Sequence, residues 1–149
     1  MKKKSKSPYK QGVFKPLDPS KYTGTYPIVY RSGLELTFFR WCDKNPKIVE
    51  WGSESVILPY ISPKDGKTHK YFVDGNLKLQ TEGGIKKYLI EVKPKSQTMA
   101  PKSHGNKKRS TILYEQVQWA VNQAKWESAS GWCKKNGYQF AILTEKDLR

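Results

Sequence analysis

The chain has 149 residues, with 28 Lys or Arg against 13 Asp or Glu, a formal net charge of +15 at pH 7. That length suits one domain of the usual ~100–200 residues, and the basic excess selects a polyanionic partner, nucleic acid before any other. A transmembrane helix is excluded by the lack of any run near the roughly 20 apolar residues it needs, and residues 1–8 carry the charge of a secretory leader without its apolar core, so an intracellular protein is expected.

Residues 1–20 are rich in Lys, Ser and Pro with only isolated apolar positions, which predicts a flexible basic arm whose Lys2, Lys3, Lys4 and Lys6 grip phosphates. Residues 21–149 are then the folded domain. After Tyr30-Arg31-Ser32-Gly33, the spacing of Leu34, Phe38, Trp41 and Cys42 predicts a helix with one buried face. Ser32 is placed to cap it, with Glu35 at the third helical position of a capping box. Glu35 also shares a face with Phe38, Phe39 and Cys42, which would carry its carboxylate toward the sheet.

A strand-rich block follows Asn45-Pro46. Segments 48–51 and 55–61, a turn at Pro63-Lys64-Asp65-Gly66, an apolar run Tyr71-Phe72-Val73 ending at Asp74, and a strand 88–93 predict an antiparallel meander. Asp74 and Glu91 are separated by sixteen residues, a gap that suits a hairpin turning at Glu82-Gly83-Gly84, and pairing its strands would bring both carboxylates to one sheet edge. Along 88–93, Leu89, Glu91 and Lys93 point to one face and Tyr88, Ile90 and Val92 to the other.

Residues 94–110 have no periodicity and predict a mobile loop, with Lys95, Lys102, Lys107, Lys108 and Arg109 available to DNA. A long helix marked by Leu113, Val117, Ala120, Val121 and Ala124 then ends at Gly137, with basic residues near its negative end. Gln116 and Gln123 on it could touch a substrate from the helix, though ordinary surface is the reading preferred. A last strand over 138–144 completes the sheet. Cys42 and Cys133 form no CxxC pair and fall in predicted helices, and with His69 and His104 alone beside them they make too few ligands for zinc.

The chemistry lies in Asp74, Glu91 and Lys93. Two close carboxylates repel, and a bound cation keeps both ionised; their hard oxygens favour magnesium, manganese or calcium. A lysine two residues along the same strand can orient a water or offset phosphate charge.

In order and content, the helix with Glu35, the strand with Asp74, the return strand Glu91-Val92-Lys93, a helix and a strand resemble the PD-(D/E)xK nuclease superfamily. The segments Tyr30-Arg31-Ser32-Gly33-Leu34-Glu35, Tyr71-Phe72-Val73-Asp74 and Leu89-Ile90-Glu91-Val92-Lys93-Pro94 look like the amino-terminal domain of the TnsA transposition endonucleases. The basic amino terminus, Trp51-Gly52-Ser53-Glu54-Ser55 and Ala120-Val121-Asn122-Gln123-Ala124-Lys125-Trp126 are similar to the head completion nucleases of T4-like bacteriophages. One departure stands out: Val73 occupies the position of the superfamily's customary proline.

The resemblance implies an α/β (α+β) fold, a restriction-endonuclease-like mixed β-sheet core flanked by helices. It implies Asp74, Glu91 and the Val92 carbonyl as ligands of magnesium, for which manganese would substitute. Glu35 would be a possible further ligand and Lys93 the catalytic lysine. It further implies an endonuclease or DNA-end-processing enzyme acting on the phage genome at head completion, before tail attachment. Portal or neck proteins would be its partners, and the host cytoplasm or the virion its place. Two alternatives stand beside it: a non-catalytic DNA-binding protein of the head-neck region, and a nuclease of transposition or repair.

Overall fold

In the computed structural model, which describes residues 11–102 and 105–149, one four-stranded sheet stands between two helices. The elements run β1 (Gly12–Phe14), β2 (Ile28–Tyr30), α1 (Gly33–Lys44), β3 (Ile48–Ser53), β4 (Ile57–Ile61), β5 (Thr68–Phe72), β6 (Gly75–Thr81), β7 (Gly84–Val92), α2 (Arg109–Asn136) and β8 (Gln139–Leu143). The central sheet has the order β3-β6-β7-β8. Its first three strands are antiparallel, and β8 joins β7 in parallel by way of α2. No helix among the described residues is long and apolar enough to cross a membrane.

The sheet departs from the expected meander. β3 pairs with β6, and β4 and β5 form a separate hairpin projecting between them. The hairpin is held elsewhere, against α2, where Ser128 Oγ donates to the Pro59 carbonyl at 2.8 Å. The β6–β7 turn falls where the glycines predict it, at Glu82-Gly83, with Thr81 opposite Gly84 and Gly84 at a φ of 115°.

The period-two pattern of β7 sorts its side chains between two cores. Ile90 and Val92 join Phe38, Phe39 and Cys42 of α1, with Trp51 and Leu77, and each large apolar side chain fully buried there contributes about 1.5–3 kcal/mol. Leu89 faces the other way, into Leu58, Tyr71 and Val73 and the α2 residues Trp126, Ala129 and Cys133. Both helices end as the sequence indicates: Ser32 Oγ accepts from the Glu35 amide at the start of α1, and Gly137 closes α2 at a φ of 76°. Leu113, the first of the apolar residues that mark α2, is exposed. Burial raises both cysteine thiols, which are free.

The second half of the expected arm, residues 11–20, is packed onto the domain. Residues 1–10, with Lys2, Lys3, Lys4 and Lys6, lie outside the described residues. Within 11–20, Phe14 is buried against Phe39 and Trp51 at ring distances of 5.7 and 6.1 Å. The Leu17 and Asp18 amides donate to the buried Asp43 carboxylate at 2.8 and 3.0 Å. The expected loop at 94–110 is also partly regular, since Lys95–Thr98 makes a 3-10 turn and α2 already begins at Arg109.

Candidate active site

Asp74 stands at the joint between the projecting hairpin and the central sheet. Val73 before it is fully buried, and its amide donates to the Val56 carbonyl at 3.1 Å. Gly75 after it leaves no room for a side chain: a Cβ there would stand 2.6 Å from the Phe38 ring. The Asp74 carboxylate therefore has little choice of place, and its Oδ2 accepts from the Val92 amide at 2.7 Å.

The other residues come from the end of β7. Glu91 is buried, and its Oε1 accepts from the Tyr71 hydroxyl at 2.6 Å. Lys93 Nζ lies 3.6 Å from Glu91 Oε2, the same-face neighbourhood that a two-residue step on a strand dictates. The Lys93 amide donates to the Leu143 carbonyl on β8. Val92, one residue back, turns its backbone groups the opposite way, toward Asp74 and beyond the Gly75–Ile90 rung that ends the β6–β7 pairing. The two carboxylates thus meet across interior strands, and the expected placing at a sheet edge is corrected: β8 covers β7 on its far side.

Glu35 approaches from the first turn of α1. Its amide is capped by Ser32, and its Oε1 accepts from the Arg31 amide at 2.7 Å, one residue before the position a standard capping box uses. Arg31 also pairs with Glu54 at 2.8 Å. Glu54 holds a φ of 52° and donates its own amide to the Asp74 carbonyl, so a chain of contacts joins the Glu35 turn to the Asp74 turn.

Electrostatically the site is short of positive charge. Burial pushes the Asp74 carboxyl well above the usual carboxylate range and the Glu91 charge adds to it, while the Val92 amide and Lys93 pull the other way. Burial also raises Glu35, with Glu54 and Glu91 adding to the effect against the Arg31 contacts. The Tyr71 hydroxyl is raised by burial and by Glu91, which keeps it a donor.

Buried, mutually repelling carboxylates of this kind suit a hard divalent cation. Among the described residues no three His, Cys, Asp or Glu side chains cluster tightly enough to form a cage. The Asp74 and Glu91 carboxylates offer hard oxygens, the donor type that hard divalent cations take with water completing the shell.

A matching family covers this site. The TnsA-like endonuclease N-terminal family matches residues 45–145, a span holding Asp74, Glu91 and Lys93 and all four strands of the central sheet. The chain belongs to that family. As a TnsA-like endonuclease it is also 40% identical over 144 residues, 93% of each chain, to the head completion nuclease of Enterobacteria phage T4. It is an endonuclease of the phage head-completion type. No solved structure matches the chain.

The predicted DNA contacts divide. Lys95, Lys102, Lys108 and Arg109 are exposed, Lys102 in the cleft beside Lys93, whereas Lys107 Nζ is already engaged by Glu115 at 2.7 Å and the Lys102 carbonyl at 2.8 Å. Tyr71 and Arg31 escaped notice in the sequence because an aromatic in an apolar run and an arginine before a cap look unexceptional. On α2, Gln116 and Gln123 are exposed, and Gln118 and Asn122 are the amides facing the cleft beside Lys93. Their spacing with Glu115 and Trp119, i, i+3, i+4 and i+7, is the signal that picks that face.

Proposed function

We propose that this TnsA-like endonuclease is a divalent-metal-dependent enzyme of the PD-(D/E)xK type. It acts on phage DNA at head completion, after packaging and before tail attachment. The observation that supports it most is the convergence of Asp74 and Glu91, with Lys93 Nζ 3.6 Å from Glu91 and one Asp74 oxygen fixed by the Val92 amide. Asp74, Glu91 and the Val92 carbonyl would hold magnesium, with manganese as a substitute, and Glu35 would hold a second ion or its water. Such an ion, when bound, lowers the pKa of a coordinated water and stabilises charge growing on the phosphate.

The chain's own residues do the positioning. Tyr71 fixes Glu91 by donating to Oε1, and the Arg31 amide fixes Glu35. Lys93 holds the attacking water in line with the scissile bond and offsets negative charge at phosphorus. The net charge of +15 draws in the DNA, with Lys102 in the cleft beside Lys93 and Lys95, Lys108 and Arg109 exposed on the chain that follows. A portal or neck protein is the fitting assembly partner, and the host cytoplasm during assembly, then the virion, the fitting place.

The test is incubation of the purified protein with linear, nicked and supercoiled DNA, with and without magnesium, alongside Asp74→Asn. Cleavage that needs the metal and vanishes in the variant is the expected result. DNA binding without cleavage under any metal would overturn the reading in favour of a structural DNA-binding protein.

A further inference from the structure

Beside Lys93 opens a cleft of about 840 Å³ between α2 and the segment that follows β7. Its lining includes Lys93, Lys102, Tyr114, Gln118, Trp119 and Asn122. Lys107 shapes its rim, since its ammonium bridges the Lys102 carbonyl and Glu115 and ties the segment across the first turns of α2. Trp119 rests edge-on against Trp126 at 6.1 Å, which anchors its ring. Tyr114 is 64% exposed and serves no packing role in the fold.

The volume falls in the ~300–1,000 Å³ range of small-ligand pockets, so it takes a nucleotide or two and not a duplex. The lining chemistry agrees. Two aromatic rings offer a stacking surface that every base can use. The Gln118 and Asn122 amides each carry donors and an acceptor, the pair of functions that an unpaired Watson–Crick edge presents. Lys93 and Lys102 supply charge for the attached phosphates. A peptide or a lipid would use the apolar part of this lining and leave the amides and lysines unmatched.

We infer that this cleft is a subsite for an unpaired nucleotide of the DNA strand held at Lys93. The inference rests on the proposed nuclease reading and extends it to substrate class. The enzyme favours DNA whose bases are unpaired beside the scissile phosphate, such as frayed or overhanging ends, over continuous duplex. Single-stranded character places the base in the cleft without the cost of unstacking and unpairing it.

The experiment separates the cleft from the chemistry. Full-length Asp74→Asn protein is titrated with duplexes carrying 2-aminopurine, either unpaired in a short overhang or paired within a blunt end. Quenching confined to the unpaired probe is expected, with overhang binding about 5- to 100-fold tighter than blunt, the scale of one base stacked on an aromatic ring. Tyr114→Ala, a surface change that leaves the fold intact, should erase most of that preference while binding blunt duplex as before. Equal affinity for both duplexes without quenching would overturn the subsite, as would competition by free thymidine monophosphate as strong as by the overhang. Quenching supports the subsite even in a protein that cuts nothing, so its failure and that of the nuclease reading are read from different measurements.

Discussion

The Val92 amide donates to Asp74 Oδ2 at 2.7 Å, across eighteen positions of sequence. This single contact locks the Asp74 turn to the strand bearing Glu91 and Lys93. It commits one carboxylate oxygen to the backbone, in a group whose ionisation the Glu91 charge opposes.

Asp74→Asn therefore keeps the fold and loses the charge. The amide oxygen still accepts from Val92, so DNA binding should stay close to wild type while metal-dependent cleavage disappears. Gel assays with magnesium check both, and full-rate cleavage by the variant would disprove the assignment of the site.

The same substitution should raise the melting temperature of the metal-free protein at neutral pH. Burial, with Glu91 beside it, raises the folded-state pKa of Asp74 above its unfolded value near 3.9. Its contribution to stability is thus fully present below about pH 4 and is lost as pH rises through the raised folded value. Melting curves from pH 4 to 8 in chelator should show the wild type losing ground to Asp74→Asn on the alkaline side, each kcal/mol appearing as about 2–4 °C. Magnesium should restore the wild type more at pH 8 than at pH 5 and leave the variant nearly unmoved.

Glu35→Gln separates capping from catalysis. The Gln oxygen can still accept from the Arg31 amide and the buried charge is gone, so the melting temperature at neutral pH should hold or rise, while cleavage should fall by about 10²-fold, the scale of one lost preorganised group. Unchanged cleavage would leave Glu35 as a capping residue alone.

Lys93→Ala removes the ammonium 3.6 Å from Glu91 but none of the oxygens around Asp74. Cleavage should drop by about 10²-fold or more with magnesium affinity retained, as calorimetry would show. A loss of metal binding would mean that Lys93 shapes the carboxylates and does not act on water.

Gly75→Ala tests how tightly the fold sets the site. The new methyl would meet the Phe38 ring at 2.6 Å and the Gly52 carbonyl at 3.3 Å. Overpacking of this kind costs about 1–3 kcal/mol, and the residue that moves first is its neighbour Asp74. Thermal melts and cleavage rates should both decline, and a variant as stable and active as wild type would show that α1 yields easily at Phe38.

Local chemistry made much of this readable from the sequence. The Ser32 cap, the alternation along β7, the glycine turn and the Gly137 stop each depend on neighbours within a few residues, and each appears where the pattern put it. Strand pairing does not work that way. Nothing near Ile48 or Leu58 says that β3 skips two strands to find β6, because register between distant segments is settled by which faces the helices cover. Phe14 was hidden for a similar reason: one apolar residue among lysines and prolines resembles a tail until Trp51 and Phe39 are there to receive it. Within the site, Glu91 and Lys93 follow from period two, whereas Tyr71 as the partner of Glu91 needed the hairpin to be folded back.

The parallel pairing of β7 with β8 gives the enzyme a built-in delay. Lys93 is held in line by Leu143, a residue synthesised fifty positions later. A ribosome must complete α2 and the whole of β8 before the lysine acquires its fixed bearing beside the carboxylates. A chain that ends before Leu143 therefore carries Asp74, Glu91 and Lys93 without the backbone contact that fixes the direction of the strand after Glu91.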